Sequence, residues 1–375
     1  MKCAKSRAIA FLGLLLVLAV LAVGCVPGTL AGGGSAAVID NGTLYVGSQR
    51  GGLLAINTEA AGRLWSVTLQ QPASRNAFGC APAPRLVAIY GTPAVAGELV
   101  YVGGYDGRLR VYRRGEEQAR YPAGETASVG GIVGGPQLGR GNVYFGTSRG
   151  EVIALDAATL AKKWQFNAGD RVWAAPVVIG NTVYVTSMDD RLYALDADTG
   201  REKWHFVTGG AITSPPVIHQ ATVYFGSFDR YFYAVSASTG QLIWRSAVQA
   251  ERWFWAGPLV ANGAVYAGAM DGRVYVFNAA TGESLAVREL GAPLVAAPVL
   301  SGNSVIFATE TGQLWALDTV QYQARELPTS ITGKVHAPLT LSSGVVYLHT
   351  QDPDTLYAVR ADNGVNIWNV PLSSK

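Results

Sequence analysis

Charge is scarce in this chain of 375 residues: Asp, Glu, Lys and Arg together make up 15% of it, against about 25% in typical domains. Cysteine occurs three times and histidine four. No two cysteines are adjacent, and His205, His219, His336 and His349 lack the short spacings of a metal site. The one Gly-x-Ser-x-Gly, Gly146-Thr147-Ser148-Arg149-Gly150, falls between two strand-like runs instead of opening a helix as a nucleophile elbow does, and no phosphate-cradling glycine loop is present. After residue 30 no segment carries a convincing helical period. These absences leave no disulfide framework, nominate no catalytic set and argue against a helical fold. Glycine, by contrast, is plentiful at 45 residues, which fits a chain of many tight turns.

What fills the chain is one phrase written eight times. It is plainest as Pro176–Trp204, then as Pro136–Trp164, Pro215–Trp244 and Pro338–Trp368, with worn copies at Ala37–Trp65, Pro93–Tyr121, Pro258–Ala286 and Pro298–Arg325. One phase falls at Tyr45, Tyr101, Tyr144, Tyr184, Tyr224, Tyr266, Ile306 and Tyr347, so that six of seven steps span 40 to 43 residues and the first spans 56. A fixed period is read before anything else because it decides the architecture. Each copy holds four short apolar runs: in the clearest, Pro176–Ile179, Thr182–Ser187, Arg191–Leu195 and Arg201–Phe206. Runs of this length, rich in Val, Tyr and Phe and bounded by Gly, Asp and Asn, read as strands of antiparallel hairpins. The second and third runs are apolar on both faces, as in Val143-Tyr144-Phe145 and Val152-Ile153-Ala154-Leu155. That pattern requires a sheet covered on both sides, which stacked blades supply. The expected fold is all-β: an eight-bladed β-propeller of four-stranded antiparallel blades over residues 36–375. Ring closure needs no exchanged strand, although one involving residues 30–40 stays open.

The phrase Ala194-Leu195-Asp196-Ala197-Asp198-Thr199-Gly200-Arg201-Glu202-Lys203-Trp204 resembles the tryptophan-docking repeat of pyrroloquinoline-quinone-type propellers. The resemblance implies that Trp65, Trp164, Trp204, Trp244 and Trp368 wedge between neighbouring blades. A buried indole hides about 150–250 Å², worth roughly 4–6 kcal/mol as an upper bound. Copies two, six and seven have Tyr121, Ala286 and Arg325 at or near that phase, and looser blade contacts are expected there. The lipid-anchored propeller family of outer-membrane β-barrel assembly is similar in its whole plan.

The N-terminus reads as an address. Lys2, Lys5 and Arg7 precede an apolar run from Ala8 to Val23, followed by Gly24-Cys25, which resembles a bacterial lipobox. Residues 1–24 are expected to be a lipoprotein signal peptide, Cys25 the lipidated N-terminus, and residues 25–35 a Gly-rich tether. The rival is an uncleaved anchor, but sixteen apolar residues fall short of the roughly 20 a span needs. Loss of residues 1–24 takes 29 basic side chains to 26, equal to the 26 acidic ones. No nucleic-acid role follows from the precursor's basic balance. The expected location is extracytoplasmic, on the membrane, facing the periplasm where the host has two membranes. Cys80 is then left as a lone thiol.

Function is sought where the copies differ. The first step carries an insertion at Ser66 to Tyr90, read as a long loop. The connectors between blades place Arg171 by Trp173, Arg252 by Trp253 and Trp255, and Lys334 by His336. Arginine and aromatic residues dominate interface hot spots, so these seven form the expected partner or ligand surface; the bland alternative is that they plug the channel. Aspartates such as Asp106, Asp156, Asp189, Asp196, Asp229, Asp271 and Asp318 fall in turn slots, where they bond local backbone. Quinoprotein dehydrogenases sharing the repeat commonly carry a Cys-Cys pair, absent here. The expectation is a non-catalytic scaffold binding an envelope protein or polypeptide as a monomer within a complex, with no cofactor, quinone and calcium included, and no metal. A quinone- or sugar-binding propeller and a ligand sensor are the alternatives.

Overall fold

The computed structural model describes residues 34–71, 85–124 and 127–372. Cys25, the tether up to residue 33 and Cys80 lie outside them. Among the described residues there is no α-helix, and so none long and apolar enough to cross a membrane. Eight antiparallel blades follow one another in sequence, each built from one contiguous stretch of chain. In blade four the strands are Val177–Ile179, Thr182–Thr186, Arg191–Asp196 and Glu202–Val207. Pro176 sits just before the first strand rather than inside it, so its missing N–H costs no ladder bond. Tyr184 lies opposite both Val177 and Ala194, and Ala194 opposite Trp204. A register shift between Ala194 and Leu195 leaves Lys203 as a bulge residue that aims Trp204 across the seam.

The two inner faces of each seam are apolar. Blade three packs on blade four through Tyr144, Val152, Ala154 and Trp164 against Val183, Val185, Tyr193 and Leu195. The Trp164 indole N–H donates to the Ala197 carbonyl of the next blade (2.9 Å), which also accepts from the Tyr144 hydroxyl (3.2 Å). Trp204 reaches Ala237, Trp244 reaches Ala279 and Trp368 reaches Thr58 in the same way. The ring face lies flat on a glycine: a Cβ on Gly200 would stand 2.6 Å from Trp164, and one on Gly282 2.6 Å from Trp244. Both glycines also hold positive φ, 72° and 74°, which other residues adopt reluctantly.

The seams without tryptophan are not simply loose. Where blade two has no indole, Leu160 occupies the glycine slot of blade three and is buried among Tyr101, Val111 and Ala119. Where blade six has Ala286, Tyr322 occupies that slot in blade seven and packs on the same cluster. The bulk has moved across the seam. At the third such seam Arg325 takes the indole's place, opposite Ala316, and donates to the Asp362 carbonyl (3.0 Å). In blade two the residue at the tryptophan position is Ala119, opposite Val111; Tyr121 lies two residues further on, opposite Leu109.

Two further departures concern connections. The insertion after blade one is not all loop: Gln70–Gln71 pairs with Arg85–Leu86 as a two-stranded ribbon. Blade eight carries a fifth short strand, Lys334–Val335, paired with Val345–Gln351. The ring closes without strand exchange. Blade one, from Val38, and blade eight, ending at Pro371, meet through Leu44, Val46, Leu54 and Ile56 against Tyr347, Leu356, Ala358 and Leu372.

Candidate partner-binding face

Each connector enters an innermost strand at the end where the second strand finishes, as the pairing of Val177 with Tyr184 dictates. The connectors and the turns between second and third strands therefore share one face of the ring. There each connector is fastened to the blade before it. Val172 N–H donates to the Thr147 carbonyl and Met188 N–H to the Arg171 carbonyl; Leu294 and Glu310 repeat the pair in blades six and seven. Val172, Phe254 and Leu294 point inward, over Gly146, Gly226 and Gly268, where any Cβ would collide with them. With every second residue anchored this way, the flanking ones are displayed.

The displayed residues include those expected from sequence. Arg171 is exposed and its guanidinium lies 5.6 Å from the half-buried Trp173 ring; exposed Arg252 lies 5.2 Å from Trp253. Such cation–π pairs hold the cation at the surface while its stem covers the ring. Phe228 stands between Trp253 (5.5 Å) and Trp255 (5.6 Å), knitting three rings from two neighbouring blades. The indole nitrogens of Trp173 and Trp253 are covered and have no hydrogen-bond partner. These rings thus serve as packed floor as well as displayed surface. Lys334 is exposed, and His336 meets Glu310 at 2.9 Å. Phe228 of blade five and the connector into blade six form an Arg/Trp/Phe cluster, Arg171 and Trp173 form a separate pair on the connector into blade four, and Lys334 and His336 form a third station before blade eight.

Sequence reading missed Phe228, Glu310, Tyr90 and Tyr105. Tyr90 and Tyr105 meet edge-to-face at 5.4 Å on the same face. The signal was available in the residue two beyond the second strand's final glycine or alanine, which varies as Tyr105, Ser148, Phe228, Met270 and Glu310. Repeats conserve what folds the blade, so a position that varies inside a rigid turn displays its side chain outward.

Three turn aspartates on this face, Asp189, Asp229 and Asp271, are already engaged. Asp189 accepts from the Tyr193 hydroxyl (2.5 Å) and the Gly169 N–H (2.7 Å); Asp229 and Asp271 repeat this with Tyr233 and Gly209, and with Tyr275 and Glu251. Burial, and then the hydrogen bond to Asp189, push the Tyr193 phenol up to about 12. Asp106 is instead clasped by both terminal nitrogens of Arg110. Asp156, Asp196 and Asp318 close the outer turns by accepting two backbone N–H groups each. Among the described residues no three His, Cys, Asp or Glu side chains gather as a metal site would require. A calcium-bound quinone needs carboxylates free to ligate, and Asp106, Asp189, Asp229 and Asp271 are already committed to partners within the fold.

Three overlapping matches to a family model described as outer membrane protein assembly factor BamB cover residues 25–166, 113–319 and 229–375. No curated protein matches the chain. Among solved structures it is similar to the computationally designed Ika8 protein (TM-score 0.69, 19% identity, covering 91% of this chain and 98% of the other). It is also similar to BamB from Moraxella catarrhalis (TM-score 0.64, 19% identity, 81% and 91%). At that identity the structures speak to the fold, and the family model to descent: the chain belongs to the PQQ-repeat propeller family described by the outer membrane protein assembly factor BamB.

Proposed function

We propose that this propeller is a non-catalytic scaffold of the cell envelope, tethered by a lipid on Cys25 and serving outer-membrane protein assembly by binding a protein partner. The observation that carries it is the family match over residues 25–375, joined to a face whose turn aspartates Asp189, Asp229 and Asp271 are bound into the fold. What that face offers is recognition chemistry: Arg171, Trp173, Arg252, Trp253 and Trp255, with Lys334 and His336 as a second contact. Arginine and tryptophan on a rigid base lose little entropy on binding and suit an interface centre. The anchor would hold the face near the membrane, facing the periplasm, as a monomer within a complex. No cofactor is assigned to the site.

The test is crosslinking and mass spectrometry on native membranes, with affinity capture of the Arg252→Ala/Trp255→Ala double variant beside the wild type. An envelope partner recovered with the wild type and reduced at least tenfold with the variant, at unchanged thermal stability, supports the reading. A variant that loses its fold assigns these rings to plugging the channel. A folded variant that captures the partner as before removes the surface from the proposal.

A further inference from the structure

At seven seams the chain itself runs from one blade to the next, and a connector side chain such as Val172 packs over a small residue such as Gly146. The seam between blades eight and one has no such connector. The position equivalent to Gly146 is there His349, two residues past Tyr347 in the same register, and it is 2% exposed. Its Nδ1 lies 3.0 Å from the Ser35 carbonyl and its Nε2 2.7 Å from Asp354 Oδ1. The second Asp354 oxygen accepts from the Ser48 hydroxyl of blade one. The Asp354 carbonyl accepts the Leu372 N–H (2.9 Å). Ser35 in turn caps the Gly47 N–H with its hydroxyl (2.9 Å), and Thr340 donates to the Ala37 carbonyl (2.6 Å).

One residue, Asp354, therefore gathers both ends of the ring: its carboxylate takes Ser48 from the first blade and, through His349, the entering segment at Ser35, while its backbone carbonyl takes the last residues through Leu372. Both nitrogens of His349 face acceptors, so a ring with a proton on each donates to both. Arg50 of blade one is the further charge acting on this carboxylate. We propose that Ser35, Ser48, His349 and Asp354 form a polar latch that replaces the missing connector, making the seam between blades one and eight the place where this ring opens. The chain enters the ring here, so tension on its N-terminal segment falls on the Ser35–His349 contact before it falls on any blade.

Hydrogen exchange read by mass spectrometry tests the latch on the full chain. Asp354→Asn, and the milder Ser48→Ala, should speed exchange at least tenfold in residues 38–47 and 345–371. Residues 177–207 of blade four should stay within twofold of wild type. His349→Gln, which keeps a donor toward Asp354, should fall between the two. Equal acceleration in all eight blades, no acceleration in either variant, or loss of folding in both would make these residues ordinary core and overturn the proposal.

Discussion

The seams between blades obey a volume rule that operates residue by residue. Trp164, Trp204 and Trp244 each face a glycine, while Ala119 faces Leu160 and Ala286 faces Tyr322. Close packing explains the exchange, since a void forfeits contacts and an extra group must displace something. The rule predicts a compensation. Tyr322→Gly alone should destabilise by about 2 kcal/mol through the cavity it opens. Ala286→Trp alone should cost about 1–3 kcal/mol by overpacking. Together they rebuild the arrangement of Trp244 on Gly282, and urea unfolding should show the pair less destabilised than the sum by about 1 kcal/mol or more, within the range expected of contacting residues. Strict additivity would refute the rule. The repeat made the five tryptophans legible in the sequence; the glycines of the next blade on which four of them lie, Gly115, Gly200, Gly240 and Gly282, were not. The substitutes were not legible, because Leu160 and Tyr322 compensate for a residue some 40 positions earlier and only the register pairs them.

At the scale of strands and connectors, the hairpins followed directly from alternating apolar runs and turn residues, and strand ends shifted by one or two positions. The closing seam was the hard case. His349 reads in sequence as one of four scattered histidines, and nothing in the sequence singles out Asp354. Their meeting depends on bringing residue 35 beside residue 349, which no local pattern encodes. Burial by itself would raise the Asp354 carboxyl; hydrogen bonds from His349 and Ser48, with the charges of His349 and Arg50, outweigh it and hold the group below the usual carboxylate range. A carboxylate with a depressed folded pKa stabilises the fold above its unfolded value of about 3.9 and loses that contribution as pH falls through the lower folded value. Thermal unfolding followed from pH 6 to pH 2.5 should therefore show wild type losing stability below about pH 4 more steeply than Asp354→Asn, whose side chain cannot titrate. Parallel curves would mean that Asp354 makes no net ionic contribution to the closing seam.

Across the whole molecule the ring is a set of near-identical units, each touching only its neighbours, so stability is close to a sum of blade and seam terms. Seven seams gain from chain connectivity, which brings neighbours together without the entropy of closing a loop; the eighth relies on side chains alone. That asymmetry can be moved by permutation. The two ends approach the same place, since Ser35 caps Gly47 and the Leu372 carbonyl lies 3.3 Å from where a Gly52 Cβ would stand. A short Gly/Ser link from residue 372 to residue 34, with new ends opened inside 72–84, keeps all eight blades and gives the closing seam a covalent connector. The permuted chain should fold to the same ring, because the seam between blades one and two keeps the Ile89 N–H on the Ser48 carbonyl and the cluster of Leu53, Val87, Ile89 and Val100. In that background Asp354→Asn should cost distinctly less than in the natural order, by about 1 kcal/mol or more in urea unfolding, since the contact it weakens no longer has to close the ring unaided. An equal cost in both backgrounds would show that the four residues act as local packing, with closure carried by the apolar faces of blades one and eight.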